Sequence, residues 1–382
     1  MLICIGDKMR LDWMFFSIKP STIISSLCYS VFRIEPYSSC LYGCIFCYAK
    51  WYRKDLEMNS SQILNAWKSL ARRLEDVDLP PPVFRLSTLV EPFQDKLEMK
   101  NRIALRILEI ADRYEIPLII NTKSDLIMRS PWIDVILKLS DKNLVLVQVS
   151  IVTTNSNISK ALEPGAPIPQ RRLALIERLR DHSVPVVVRL QPLIPGIENL
   201  QLETAKEVLN YGALGIIVEP LRETRNGLAK IAKAIGIAPK SYLNNPLWKP
   251  YSFSSNNQGL LYPDIEWRKR MFYELFTLTL KFGKALTICK DGLWLSFSIY
   301  NADCCQSWHI KRTHAMRETL YECLVSSKSR FPHIYLLSYG DFQKYPRVIR
   351  RALRLHYNKL IKVLNNKKLL RKLIITNGSH AK

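Results

Sequence analysis

Nine cysteines over 382 residues are too few for a disulfide framework, and no charged-then-apolar leader ending in small residues opens the sequence. Both absences argue against an oxidising compartment, and a reduced, cytoplasmic setting is expected. Long apolar runs are missing too. The longest, such as Leu144 to Ile151, have strand length and fall far short of the ~18–20 residues that cross a bilayer, so no membrane partner is expected. Acidic residues are scarce at one end: from Lys328 to the C-terminus only Asp341 is acidic. A second CxxC is absent as well, and a structural zinc site, which closes with four ligands in two pairs, is disfavoured.

What is present begins with charge. The formal net charge is +23, and such a surface favours a polyanion, nucleic acid ahead of anionic lipid. Solvated Lys and Arg with no partner are the alternative. With 48% hydrophobic and 10% aromatic residues, the length suits one large domain with an appendage, or two domains.

Short β-branched apolar runs recur at Val31 to Tyr37, Val83 to Thr88, Leu118 to Thr122, Leu144 to Ser150, Pro185 to Gln191 and Leu214 to Val218. Amphipathic segments such as Lys100 to Tyr114 and Arg171 to Arg180 separate them. Continuously apolar strands are those of a parallel sheet buried on both faces. The expected fold is α/β, a partial (β/α)6 TIM-like barrel open on one side, with a C-terminal, mainly helical extension. Its expected division is an N-terminal extension (1–30), a barrel core (31–222), a helical, Cys-containing accessory region (223–345) and a basic C-terminal helical segment (346–382). Polar residues follow the runs: Thr88 and Glu91, Thr122 and Lys123, Ser150, Gln191, Glu219. At the carboxyl edge of a barrel they would share one rim, and the cysteine run after the first strand opens onto it.

That run is CLYGCIFCYAK, with Cys40, Cys44 and Cys47 at a three-then-two spacing. Pairing inside the three would leave one thiol over. Three thiolates on a loop that wraps a compact object suit an iron-sulfur cluster in which one iron lacks a protein ligand.

The run resembles the CxxxCxxC signature of radical S-adenosylmethionine (SAM) enzymes. The resemblance implies a 4Fe-4S cluster on Cys40, Cys44 and Cys47, SAM on the open iron, Phe46 beside the adenine, and a 5'-deoxyadenosyl radical that takes hydrogen from a substrate. From Glu35 to about Gly196 the chain is similar to spore photoproduct lyase and its DNA repair photolyase-like relatives, through EPYSSCLYGCIFCYAKW, STLVEPFQDKLE, INTKSDLIMRS, VQVSIVTTN, ALEPGAPIPQRRLALIERL and LQPLIPGIENL. This narrower resemblance implies SAM contacts at Lys123, Ser150 and Thr88. Gln191 joins them as an expected cofactor contact, and Lys123 and Tyr48, a candidate radical relay, as expected catalytic residues. Glu163, Arg171 and Arg172 stand on the rim side for substrate or structure. A ferredoxin or flavodoxin is the implied electron donor.

Departures bear on the substrate. The lyase uses a cysteine at the end of its second strand to return hydrogen, and Arg85 to Pro92 contains none. Ser38 stands where relatives have arginine. An enzyme acting on a nucleic-acid base is one reading; the other is a small molecule or protein as substrate, with a basic surface of no function.

Tyr262 to Phe282 is expected to be a long helix. Cys289, Cys304 and Cys305, with His309 and Cys323 nearby, form a second group that would hold another metal or cluster, or supply the missing hydrogen donor, or be plain buried thiols. A last helix starts at Pro346, with Ile349, Leu353, His356, Leu360 and Leu364 on one side and Arg347, Arg350, Arg351, Arg354 and Lys362 on the other. That charged face is expected to track phosphates, with His356 at the core edge.

Overall fold

A computed structural model describes residues 15–52, 59–251, 253, 259–297, 303–312, 314–324, 335–336 and 339–375. Residues 1–14 of the expected N-terminal extension, 376–382 of the expected C-terminal segment and parts of 252–338 in the expected accessory region lie outside the described residues.

One parallel sheet carries the molecule. Its strands are β1 (Phe32–Ile34), β2 (Phe84–Leu86), β3 (Leu118–Thr122), β4 (Val145–Ser150), β5 (Val186–Leu193), β6 (Gly215–Pro220) and β7 (Ala285–Ile288), in that spatial order. Sequence order equals spatial order, so every crossover winds the same way and the sheet curls without closing. Six strands fall on the six apolar runs. The seventh comes from the stretch expected to be accessory, and pairs Ala285 with Gly215 through to Ile288 with Val218. It supplies partners to a β6 edge whose backbone is otherwise buried without them.

The crossovers hold α2 (Ser60–Glu75) after β1, α3 (Asp95–Asn101) and α4 (Ile103–Arg113) after β2, α5 (Trp132–Asp141) after β3, α6 (Ser156–Leu162) and α7 (Pro169–Asp181) after β4, α8 (Glu198–Asn210) after β5, and α9 (Ile265–Lys281) after β6, with α1 (Thr22–Leu27) preceding the sheet. The expected single helix from Lys100 to Tyr114 is two. Arg102 takes a left-handed φ of 52° between α3 and α4, and buried Glu98 accepts from the amides of Ala104 and Leu105 at the start of α4. A carboxylate serves the orphan amides there better than a continued helix would. The expected helix from Tyr262 starts three residues later, where the Asp264 side chain caps the amide of Trp267; Leu260–Pro263 is a short strand instead.

The pleat divides each strand between two environments. Leu118, Ile120, Val147, Val149, Val188, Leu190, Ile216 and Val218 pack into the large core under the helices. The alternate residues face the lumen. Deep down these are Ile119, Leu146, Val187 and Ile217; toward the carboxyl ends they become polar, and Arg85, Asn121, Arg189 and Glu219 line the mouth there.

The last long helix, α10 (Arg347–Leu364), begins after Pro346 as expected and packs on α1. His356 is fully buried between them, Nδ1 2.9 Å from Ser25 Oγ and Nε2 3.0 Å from the Ile18 carbonyl oxygen. Among the described residues no helix is long and apolar enough to cross a membrane.

Candidate active site

The loop after β1 brings Cys40, Cys44 and Cys47 to the polar mouth, where all three line a cleft of about 180 Å³. Local backbone chemistry fixes the loop. Gly43 sits at φ +60°, which a side chain rarely tolerates. On one flank Gln94 accepts from the Leu41 amide at 2.7 Å and donates to the Ser39 carbonyl at 2.9 Å. On the other, the Ile45 amide reaches the Leu162 carbonyl at 3.0 Å and the Gly165 amide the Tyr42 carbonyl at 2.9 Å. Gly165 is there for space, because a Cβ would lie 2.7 Å from the Leu41 oxygen and 2.8 Å from Tyr42 Cα.

None of the three is in a disulfide, and all are half-buried. Burial pushes Cys44 up to about 12 against the pull of Lys123. Among the described residues no three His, Cys, Asp or Glu side chains gather around a single-ion position. Cys40, Cys44 and Cys47, carried on one loop and lining one cleft, are a donor set that suits a cluster with one iron left open.

Lys123, after β3, has its Nζ 5.6 Å from the Phe46 ring centroid and 2.5 Å from Glu163 Oε1. Glu163 Oε2 takes a 2.6 Å bond from fully buried Arg172. Burial alone would raise Glu163, but Arg172 and Lys123 outweigh it and hold the carboxyl below its usual range. Lys123 is likewise shifted upward: burial opposes, Glu163 and Cys44 prevail, and it stays an ammonium. Arg171 instead pairs with Asp125 at the surface.

Thr88, Ser150 and Gln191 also line the cleft. The Thr88 hydroxyl is spent on Glu35 Oε1 at 2.6 Å, part of a set in which buried Glu35 also accepts from Ser87 and the Thr88 and Leu89 amides. Gln191 Nε2 is buried without a hydrogen-bond partner. Tyr48 donates to the Thr88 carbonyl at 2.5 Å, and Lys290 Nζ lies 4.8 Å from its ring centroid. The structure thus brings every expected cofactor and metal residue to one cleft.

Glu91 was expected on the rim but given no part in the site, and Arg85, Arg189 and Arg222 were not expected in it. Glu91 accepts from Thr122 Oγ1 (2.6 Å), the Lys123 amide (2.8 Å) and the Phe93 amide (3.2 Å), and burial pushes its carboxyl up to about 7. Arg85 and Arg189 were hidden inside runs read as apolar. Arg222 follows β6. Glu219 lies between Arg222, which donates to Oε1, and Lys290, 3.5 Å from Oε2.

The second cysteine group is partly assembled. Cys304 is hydrogen-bonded to Cys289, Cys305 and Cys28, the last unforeseen, on the apolar lumen floor. Arg85 donates to Cys305 Sγ and reaches the cleft from below. Cys323 is exposed elsewhere, and His309 faces Trp308.

The Radical SAM superfamily model matches residues 34–209. Uncharacterized proteins of Mycobacterium bovis and Mycobacterium tuberculosis are 25% identical over 199 residues, 49% of this chain and 57% of theirs. One of Methanocaldococcus jannaschii is 24% identical over 175 residues, 44% of this chain and 62% of its own. The chain therefore spans less than two thirds of each of these relatives. A spore photoproduct lyase variant with bound AdoMet and dinucleoside spore photoproduct superposes with a TM-score of 0.54 at 14% identity, over 73% of this chain and 79% of that one. The lyase complexed with dinucleoside spore photoproduct gives 0.52 at 15%, over 69% and 77%. At these identities it is the fold that is shared.

Proposed function

We propose, for a chain whose residues 34–209 match the Radical SAM superfamily model, that the cleft is the active site of a radical SAM enzyme acting on a nucleic-acid base. The observation that carries the proposal is the convergence of Cys40, Cys44 and Cys47, none of them in a disulfide, with Phe46 and Lys123 on one polar mouth of a parallel sheet. Its cofactors are a 4Fe-4S cluster and SAM, which when bound supply reductive cleavage to a 5'-deoxyadenosyl radical.

In this reading Cys40, Cys44 and Cys47 hold the cluster. Lys123 presents its ammonium to the SAM carboxylate while Glu163 positions it, and Phe46 packs against the adenine. Thr88 borders the cofactor just after β2, and Ser150 and Gln191 border it on β4 and β5. Thr88 acts through its place in the Glu35-bound loop, since its hydroxyl is engaged. Tyr48, with its ring between Lys290 and the Thr88 carbonyl, is the residue next to the substrate side. Arg85, Tyr48 and Leu89 exclude water from below and from the side.

Support for a nucleic-acid base comes from the +23 charge, the basic face of α10 and the shared fold with a lyase whose structures hold a dinucleoside photoproduct. The second strand is followed by Ser87 and Thr88, both bound to Glu35, and no cysteine stands there to return hydrogen, so the photoproduct reaction itself is not transferred.

The test is anaerobic reconstitution with iron and sulfide, reduction by dithionite with SAM, and chromatography for 5'-deoxyadenosine with and without irradiated DNA. Formation in wild type and loss in Cys40→Ala, Cys44→Ala and Cys47→Ala is expected. No 5'-deoxyadenosine under any condition would end the enzyme reading; formation that DNA leaves unchanged would end the nucleic-acid one.

A further inference from the structure

We infer that the cleft wall formed by the ends of β5 and β6, backed by Lys290 after β7, is a subsite for a phosphate group of the substrate, held by Arg189 and Arg222 with the charge of Lys290 behind them. The inference rests on the cleft being where the substrate sits.

Three cations meet one carboxylate at this wall. Arg222 donates to Glu219 Oε1, Lys290 Nζ is 3.5 Å from Oε2, and Arg189 makes its 2.8 Å bond to Gln148 Oε1, a neutral acceptor. Beneath them, the Cys289 thiol is drawn down to about 6, chiefly by hydrogen bonding with Cys304. Counting it as a thiolate still leaves three positive charges against two negative. Other acids of the neighbourhood are committed: Asp291 to Arg268 through both oxygens (2.8 and 2.7 Å), Glu223 to Lys50, Glu163 to Arg172 and Lys123. Guanidinium groups cannot shed their charge, and a half-buried cation without a counter-charge is costly, so the wall is built for an anion that arrives from the cleft.

A second observation points the same way. Gln191 Nε2 is a buried amide donor with no partner, on β5 two residues beyond Arg189, and both residues line the cleft. An orphan buried donor is expensive unless a ligand oxygen satisfies it. Arg222 is held in place by the Tyr251 hydroxyl, which accepts from its Nη1 at 2.9 Å, and by that ring 5.0 Å beneath the guanidinium. Lys290 is held over Tyr48. Two guanidiniums, an ammonium and an amide on β5 and just after β6 and β7 offer more donors in more directions than the two oxygens of a carboxylate accept, whereas a phosphate spreads charge over several tetrahedral oxygens.

The experiment reads binding, not turnover, so failure of SAM cleavage neither supports nor opposes it. Reconstituted protein with saturating SAM is titrated calorimetrically with inorganic phosphate, then with a nucleoside 5'-monophosphate, a dinucleoside monophosphate and an uncharged nucleoside. Phosphate is expected to bind with SAM present. Arg189→Gln and Lys290→Gln should each weaken it about tenfold or more. Glu219→Gln should tighten it by a similar factor, a change that misfolding does not produce. The tighter of the monoester and diester arms names the source as a small nucleotide or a nucleic-acid strand. Absence of phosphate binding, its displacement by SAM, a Glu219→Gln protein that binds more weakly, or an uncharged nucleoside that binds as tightly as both phosphate-bearing arms would overturn the inference.

Discussion

Glu163 stands between Lys123 and Arg172, taking Lys123 Nζ on Oε1 at 2.5 Å and Arg172 Nη1 on Oε2 at 2.6 Å. The ammonium that lies against Phe46 of the cysteine loop therefore has a partner before any cofactor arrives. Its position is set from α7, where Arg172 also donates to the Ser150 carbonyl at 3.1 Å and the Pro167 carbonyl at 2.9 Å. A single buried carboxylate thus ties the ends of β3 and β4 to the loop that follows α6.

Glu163→Ala leaves Arg172, fully buried, without a counter-charge, and is expected to cost ~3–5 kcal/mol of stability. Lys123→Met leaves the Glu163–Arg172 pair intact and should cost clearly less, while lowering SAM affinity. Urea unfolding of both apoproteins separates these effects. A Glu163→Ala protein as stable as wild type would show that the pair does not hold the site.

Gly165→Ala puts a methyl group against backbone atoms of Leu41 and Tyr42, which cannot swing aside as a side-chain tip would. The loop must shift, taking Cys40 and Cys44 with it, because the Gly165 amide and the Tyr42 carbonyl are bonded. Iron content per chain after reconstitution is expected to fall severalfold with little change in far-ultraviolet circular dichroism. Full iron loading in the variant would refute the argument. Gly43→Ala, strained through its positive φ, should act in the same direction.

The strands were legible because burial on both faces writes a continuous apolar run, and Leu118–Thr122 matches its run end to end. The cysteine loop was legible because its spacing is local. Arg85, Gln148 and Arg189 were not, since one lumen residue in an apolar strand reads as an interruption; the cue was the period-two polarity of VLVQVS and VVVRLQPL. The seventh strand was missed because ALTI is only four residues and its pairing with β6 spans distant segments. The break at Arg102 was invisible for a similar reason: it depends on where Glu98 finds Tyr37, Trp132 and the amides of α4. Tertiary partners, not propensity, decide such places.

Glu91 gives the cleft a pH dependence of known sign. Burial raises its folded carboxyl to about 7, while in the unfolded chain it titrates near ~4.3. Between these values the folded state binds the proton that the unfolded state has lost. Its contribution to stability is therefore fully present at the acid end and is lost as the pH rises through about 7. Glu91→Gln, neutral throughout, should remove this slope. Urea midpoints at about pH 5 and about pH 8 check it: wild type is expected to lose more stability than the variant on going to the higher pH. Equal losses would mean that Glu91 is already ionised at the lower pH.

The face of α10 that turns from the core carries exposed Arg347, Arg354 and Lys362 beside Tyr357, which is 49% exposed, while Ile349, Leu353, His356 and Leu360 are buried. His356 anchors the buried side at Ser25 and Ile18, so the charged row is carried on a fixed helix and not on a frayed end. If that row tracks phosphates, each contact releases counterions, and the logarithm of the binding constant should fall against the logarithm of salt by ~0.9 per contact for duplex DNA. Replacing all three with Glu is then expected to reduce the slope by about two to three, and to weaken binding alike across sequences. Fluorescence anisotropy on a labelled duplex over a salt series measures both. Since these side chains are exposed and remote from the cysteine loop, SAM cleavage without DNA should be unaffected. A triple variant with the wild-type slope would mean that the charge of α10 is only solvated, and would move any nucleic-acid contact to the cleft itself.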